Sequence, residues 1–310
     1  MTTMTKVFTV PSRTEGLNLE CIVMESTAES SPKGILQIVH GMAEHKERYL
    51  PFMEYLSENG YACAVADVRG HGKSIVSQED LGYFYGGRAE EVTEDVLILN
   101  RLLHEHYPGI PVYLLGHSLG ALIVRWYLHD YSNTINGLIV SGNPGYSPAA
   151  KMGKALCGML ARIKGGKKVS SLVHNMVIGP FNKAYKNEGE SSWISSDPET
   201  VKAYRDDPLC GFPLTIDGYA CLMDLMIKDN DAKRWNLPSS EIPVVFLSGS
   251  EDVCMGGEVS LNDAAAIISK GGFPNTRIRI FEGMRHEILN EKGKRGVFEE
   301  ILGHLDSWTK

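Results

Sequence analysis

Five short apolar runs, at residues 35–39, 62–66, 112–116, 138–142 and 244–248, constrain the fold of this 310-residue chain more than any other feature. Each is too short for a helix and is apolar at nearly every position instead of every second one. Such strands are buried on both faces of a sheet. Between them lie stretches of helical periodicity. At residues 90–106, Val92, Val96, Leu99, Leu102 and Leu103 recur at three-to-four spacing with charges opposite. Buried strands alternating with amphipathic helices predict an α/β fold, with a mostly parallel central sheet flanked by helices. Residues 6–10 and 18–25, separated by Arg13-Thr14-Glu15-Gly16, predict an antiparallel hairpin at a sheet edge.

The rhythm breaks after Gly142. From about Tyr146 to Trp235 only helical patterns occur, and strands resume at Pro243. Residues 146–235 are therefore expected to form an inserted helical segment between a first core part, 1–145, and a second, 236–310. Ser147-Pro148 predicts a helix start, with Met152, Leu156, Met159, Leu160 and Ile163 marking one face as far as Gly165-Gly166. Asp197-Pro198 predicts another start of the same kind.

Composition removes several function classes. An apolar share of 43% and a charged share of 22% provide for a large core and exclude a disordered or fibrous chain. Lys and Arg number 31 against 38 Asp and Glu, a formal charge of −7, which repels phosphate backbones and argues against nucleic acid as the main partner. Residues 1–10 show no charged leader before an apolar stretch, and no run of about 18 apolar residues occurs, so neither export by a standard signal nor a membrane span is expected. The six cysteines lie far apart with no C-x-x-C pair, as in the reduced core of a cytoplasmic protein. No histidine-carboxylate cluster falls at ligand spacing and no nucleotide motif fits, so no metal or cofactor is expected.

Chemistry enters at Gly116-His117-Ser118-Leu119-Gly120, a G-x-S-x-G motif directly after one buried run and directly before the helical pattern 121–131. A serine hydroxyl is a poor nucleophile at neutral pH, and a sharp strand-to-helix turn presents it where a histidine can take its proton. Glycines at 116 and 120 permit the close backbone approach of such a turn. Of ten histidines, His286 lies on a loop after the strand-like run 277–281, whereas His104, His106, His129 and His304 fall on helical patterns. The acid that orients the imidazole belongs at the same sheet end. Asp252 fits, on the loop after residues 244–247, with its neighbour Glu251 as the competitor. The oxyanion needs two backbone donors, one just after the nucleophile and one on an earlier loop, which points to the amides of Leu119 and Met42.

Together, His40-Gly41-Met42-Ala43-Glu44-His45 with Arg48-Tyr49, Asp67-Val68-Arg69-Gly70-His71-Gly72-Lys73-Ser74, the serine motif, Ser248-Gly249-Ser250-Glu251-Asp252 and Gly283-Met284-Arg285-His286-Glu287 resemble the monoacylglycerol lipase and lysophospholipase branch of the α/β-hydrolases. The resemblance spans nearly the whole chain. It implies an α/β-hydrolase fold whose inserted segment is a helical cap, and hydrolysis of fatty-acyl esters through Ser118, His286 and Asp252. It also implies that Glu44, Arg48 and His117 lie near the head-group end of the acyl site. The glycine-rich block after Asp67 is expected to brace the loops around the nucleophile.

Apolar residues of the insertion, among them Leu156, Met159, Leu172, Met176, Ile178 and residues 222–227, are expected to wall an acyl pocket. Residues 151–186 carry eight basic residues and no acidic one, so the segment can either rest on an anionic membrane surface or form a solvated face. Monoacylglycerols are the expected substrates. Lysophospholipids, short esters or peptides, and an inactive ligand-binding relative of the fold remain as alternatives. Oligomeric state is not legible.

Overall fold

The computed structural model describes residues 4–28 and 31–309, so Met1 to Thr3 of the leader reading lie outside the described residues. Strands β1 (Thr5–Pro11), β2 (Asn18–Met24), β3 (Ile35–Val39), β4 (Ala62–Ala66), β5 (Val112–His117), β6 (Gly137–Ser141), β7 (Val244–Gly249) and β8 (Thr276–Phe281) form one sheet in the order β1-β2-β4-β3-β5-β6-β7-β8. β1 and β2 pair antiparallel, β2 meets β4 antiparallel, and the remaining pairings are parallel. The expected hairpin and all five apolar runs are strands, and the hairpin does form an edge.

Apolar runs become central strands because each side chain finds a hydrophobic layer whichever face it points to. Leu114, Leu138, Val140, Val244 and Phe246 pack on one side, with the helices α2 (Ala89–His106) and α3 (Leu119–Tyr131). Their strand neighbours Tyr113, Leu115, Ile139, Val245 and Leu247 pack on the other, beneath α1 (Leu50–Glu58).

Between β6 and β7 the chain forms α4 (Ala150–Lys164), α5 (Ser171–Ala184), α6 (Pro198–Asp206) and α7 (Ile216–Asp229). α8 (Glu258–Lys270) follows β7, and α9 (Lys294–Trp308) closes the chain against α1. Asp197 caps α6 as expected, its carboxylate accepting from the Glu199 N–H.

The start and face of α4 differ from expectation. Ser147 is not its cap: the Ser147 carbonyl accepts from the Ala150 N–H in a preceding turn, and the helix opens at Ala150. The apolar stripe of α4 is wider than its contact. Ala150, Gly153 and Cys157 are buried, and Leu156 and Leu160 pack partly on the core. Met152 and Ile163 remain 73% and 72% exposed. Close approach explains the choice of side, since a Cβ on Gly153 would lie 2.6 Å from Met223 Sδ of α7.

Candidate active site

Ser118 sits at the turn between β5 and α3 with φ 55° and ψ −114°, a conformation disfavoured for a residue with a side chain. The turn closes tightly on its surroundings. A Cβ at Gly116 would come within 2.2 Å of the Gly120 carbonyl oxygen, and one at Gly120 within 2.1 Å of the Val39 carbonyl oxygen. The first and last motif positions therefore admit only glycine. Held this way, the Ser118 hydroxyl donates to His286 Nε2 at 2.9 Å.

His286 lies in the loop after β8 and is buried. Its Nδ1–H donates to Asp252 Oδ2 at 2.9 Å, and Asp252 Oδ1 accepts from the Cys254 N–H at 2.8 Å. The competitor Glu251 turns away: its side chain is half exposed, with a carboxylate oxygen 3.7 Å from Arg285 Nε. Burial lowers the His286 basicity, but the Asp252 carboxylate, with Glu287 and Glu44 further off, outweighs it and raises the pKa above the ordinary histidine value. The Trp193 ring lies 5.0 Å from the imidazole and that of His117 4.8 Å away.

These groups open onto a cleft whose lining includes Met42, Glu44, His117, Ser118 and His286. Leu119 is the first residue of α3, so its N–H has no partner four residues back in the helix. Met42 follows a peptide with fixed orientation. His40 Nε2 accepts from the Val68 N–H at 2.8 Å, which leaves Nδ1–H to donate to the Gly41 carbonyl at 2.8 Å. In a planar trans peptide the Met42 N–H points opposite to that carbonyl.

The block after Asp67 braces this loop. Buried Asp67 accepts from the Lys46 N–H at 2.9 Å, from Lys46 Nζ at 2.7 Å and from the Lys73 N–H at 2.9 Å.

Glu44 and His117 line the cleft, whereas the Arg48 guanidinium is spent on the Glu44 and Glu287 carboxylates. Burial pushes the Glu44 pKa up, but Arg48 and His117 bring it down to about 2. Burial, reinforced by His286, lowers His117 to about 4.

The expected acyl wall is only partly in place, because Ile178 lines the cleft while Leu222 and Leu225 pack into the main core with α3. Trp193, Ile194, Tyr204 and Phe212 supply the apolar lining instead, beside the polar His174, Asn182 and Glu190. Sequence reasoning passed over all of these. Trp193, Ile194, Phe212 and Glu190 sit on loops and left no periodic trace, whereas Tyr204 faces inward from α6 with Val201, and His174 and Asn182 share one face of α5 with Ile178, a spacing of four that could have found them.

A second cluster, His45, Asp207 and Cys210, has ligand-type atoms within 4.8 Å of one another. Hydrogen bonds account for the imidazole: Nε2 meets Asp207 at 2.9 Å and Nδ1 meets Glu47 at 2.7 Å.

A serine on a strained strand-to-helix turn, over the carboxyl ends of a mostly parallel eight-stranded sheet, defines an α/β-hydrolase. More narrowly, the chain belongs to the serine aminopeptidase S33 family, which matches over residues 30–293. It is similar to a monoacylglycerol lipase of Mycolicibacterium smegmatis, 23% identical over 289 residues that cover 91% of each chain. Among solved structures, a thermostable carboxyl esterase from Bacillus coagulans in complex with glycerol superposes with a TM-score of 0.91 at 25% identity, covering 100% of both chains. A soluble variant of monoglyceride lipase from Saccharomyces cerevisiae, bound to a substrate analogue, does so at 0.79 with 20% identity, covering 100% of this chain and 97% of that one.

Proposed function

We propose that this chain, a carboxylic ester hydrolase, cleaves fatty-acyl monoesters of glycerol, with Ser118 as nucleophile, His286 as base and Asp252 as the acid that orients it. Ser118 Oγ attacks the ester carbonyl while His286 Nε2 takes its proton, and the amides of Leu119 and Met42 hold the oxyanion. His286 then gives the proton to the departing glycerol oxygen, leaving an acyl-Ser118 ester. Water attacks that ester with His286 again as base, and the fatty acid is released.

The single observation behind the substrate class is the mixed lining of the cleft over Ser118. Trp193, Ile194 and Phe212 provide an apolar wall, while His174, Asn182 and Glu190 provide polar contacts, which suits an ester with one hydrocarbon arm and one hydroxylated arm. The glycerol bound to the esterase structure is consistent with this reading.

In this reading residues 146–235 act as a cap over the cleft, and the outer face of α4 and α5 makes transient contact with a membrane surface. That face exposes Met152, Met159, Ile163, Leu172 and Met176 among lysines. No helix among the described residues is long and apolar enough to cross a membrane. A cytoplasmic, peripheral location fits these features.

The test combines fluorophosphonate labelling with hydrolysis of monoacylglycerols of increasing chain length, lysophosphatidylcholine and an aminoacyl amide. Ser118→Ala is expected to abolish labelling and reduce monoacylglycerol turnover by about a million-fold. Preference for lysophosphatidylcholine, or for the amide as the family description suggests, would replace the substrate class while keeping the nucleophile. A wild type that takes no label would remove the nucleophile as well.

A further inference from the structure

Glu44 and Arg48, four residues apart, lie on the segment that leads out of the oxyanion-side loop, and Glu287 directly follows His286. Arg48 binds both carboxylates. Its Nη1 donates to Glu44 Oε2 at 2.6 Å and to Glu287 Oε1 at 2.8 Å, and its Nη2 donates to Glu287 Oε2 at 2.6 Å. A two-pronged guanidinium–carboxylate pair fixes orientation as well as distance. The Glu44 side chain is 2% exposed, that of Glu287 5% and that of Arg48 13%, so water screens the network little.

Glu44 carries the restraint to the loop. Its Oε1 accepts from the Gly41 N–H at 2.5 Å and from the Tyr49 hydroxyl at 2.9 Å. The Gly41 carbonyl, on the other side of the same residue, accepts from His40. Gly41 is thus pinned at both its N–H and its carbonyl, and the Met42 N–H direction follows. A Cβ on Gly41 would lie 3.2 Å from Ser118 Cβ, so a shift of this loop is a shift relative to the nucleophile.

We infer that Arg48, with Glu44 and Glu287, is a positioning clamp that joins the loop bearing the Met42 amide to the loop bearing His286. It sets oxyanion donor and base in one register over Ser118 instead of binding the substrate's head group. The inference rests on the triad reading above and replaces only the role that the family resemblance gives to Arg48.

The charges around His286 make the clamp measurable. The imidazole is faced by Asp252, Glu287, Glu44 and His117, with Cys254 beside Asp252. Tyr204 and Cys210 flank Arg48. Removing the Glu287 charge takes away an anion that favours the imidazolium. Removing Arg48 leaves two anions uncompensated.

The experiment compares wild type, Arg48→Met and Glu287→Gln on p-nitrophenyl butyrate, which has no glycerol head, and on a monoacylglycerol. Folding is checked by thermal melting and the nucleophile by fluorophosphonate labelling. Arg48→Met is expected to lower kcat about a hundred-fold on both esters, with KM within about threefold, as for a misplaced oxyanion donor. The acid limb of kcat/KM is expected to move to lower pH in Glu287→Gln and to higher pH in Arg48→Met. A merely structural role would leave kcat on the headless ester intact, and the opposite pair of shifts reports that the clamp's charges act on the imidazole.

A rise in KM confined to the monoacylglycerol, with p-nitrophenyl butyrate turnover intact, would overturn the clamp in favour of head-group binding. Unchanged pH limbs would overturn it too. If Arg48→Met does not fold, the near-isosteric Glu287→Gln decides alone, through its kcat on the headless ester and its acid limb. A labelled wild type with unaltered variants defeats only this inference, whereas an unlabelled wild type defeats the triad reading beneath it.

Discussion

The sheet end that carries Ser118 and the outer face of α4 and α5 break the usual inside-outside pattern in opposite directions. At the sheet end, ionisable groups are buried: Glu44, Asp67, His117, Asp252, His286 and Glu287 are all nearly inaccessible. Across α4 and α5, large apolar side chains face outward, with Met152 and Ile163 more than two-thirds exposed. Burying charge is costly unless it is paired, and a cluster of exposed apolar side chains weakens solubility. A chain carries both departures where they perform a task. The first region is a rigid set of partnered charges. The second is a surface with packing capacity left over.

The largest expected effect belongs to the first region. Asp252→Asn keeps the side-chain shape but offers His286 Nδ1 a group that no longer fixes the tautomer or stabilises the imidazolium. A loss of about ten thousand-fold in kcat is expected, with fluorophosphonate labelling slowed in parallel. Retention of near-normal turnover would mean that the buried charges around His286 serve stability alone, and the contrast between the two regions would lose its functional side.

The two regions also differ in how well the sequence announces them. β3 to β7 were legible because strands covered on both faces have apolar runs with no competing pattern. β8, at the sheet edge, alternates half-buried with exposed positions and still reads as a strand. Ser118, Asp252 and His286 could be proposed from the sequence because each sits just past the end of a recognisable strand, and the structure brings the three side chains together. Glu287 was not singled out, since its partner Arg48 lies 239 residues earlier and a contact across that distance leaves no periodic trace. Trp193, whose ring is tilted against His286 from a loop, left none either. α4 shows the converse limit. Met152, Leu156, Met159, Leu160 and Ile163 share a face by periodicity, yet periodicity does not say how much of an apolar stripe finds a neighbour. Contact with α7 through Gly153 and Cys157 used one side of the stripe and left the other in solvent.

An intermediate effect comes from pH. As the proposed base, His286 must be neutral in the free enzyme to accept the Ser118 proton, so activity is expected to be lost as pH falls through its folded pKa. That pKa is raised, mainly because the Asp252 carboxylate outweighs burial. The acid limb of kcat/KM is therefore expected to have its midpoint above the ordinary histidine value of about 6.5, with a tenfold fall per pH unit below it. The groups responsible are buried, so raising the salt concentration should barely move the midpoint. A limb at or below the ordinary value, or one that moves strongly with salt, would mean that the site is wetter than its hydrogen bonds suggest.

The smallest effect concerns the second region and separates the two most cleanly. Replacing Met152, Met159 and Ile163 together by serine removes exposed apolar area without touching the packed side of α4, so stability should change by only about 0.5 kcal/mol per site. Hydrolysis of p-nitrophenyl butyrate in solution should be unchanged. Hydrolysis of a monoacylglycerol held in anionic vesicles should fall at least several-fold, because the apolar area that would enter the membrane surface is lost. Lys154 and Lys167 are already paired with Asp224 and Asp80, which leaves Lys151, Arg162, Lys164, Lys168, Lys183 and Lys186 to meet an anionic surface. Salt should therefore weaken vesicle hydrolysis in wild type while sparing the soluble ester. Equal loss on both substrates would make α4 part of the site's rigid frame. No loss on either would leave its outer face an ordinary solvated surface, and the burial of charge at the sheet end would then be the only departure from pattern that serves the reaction.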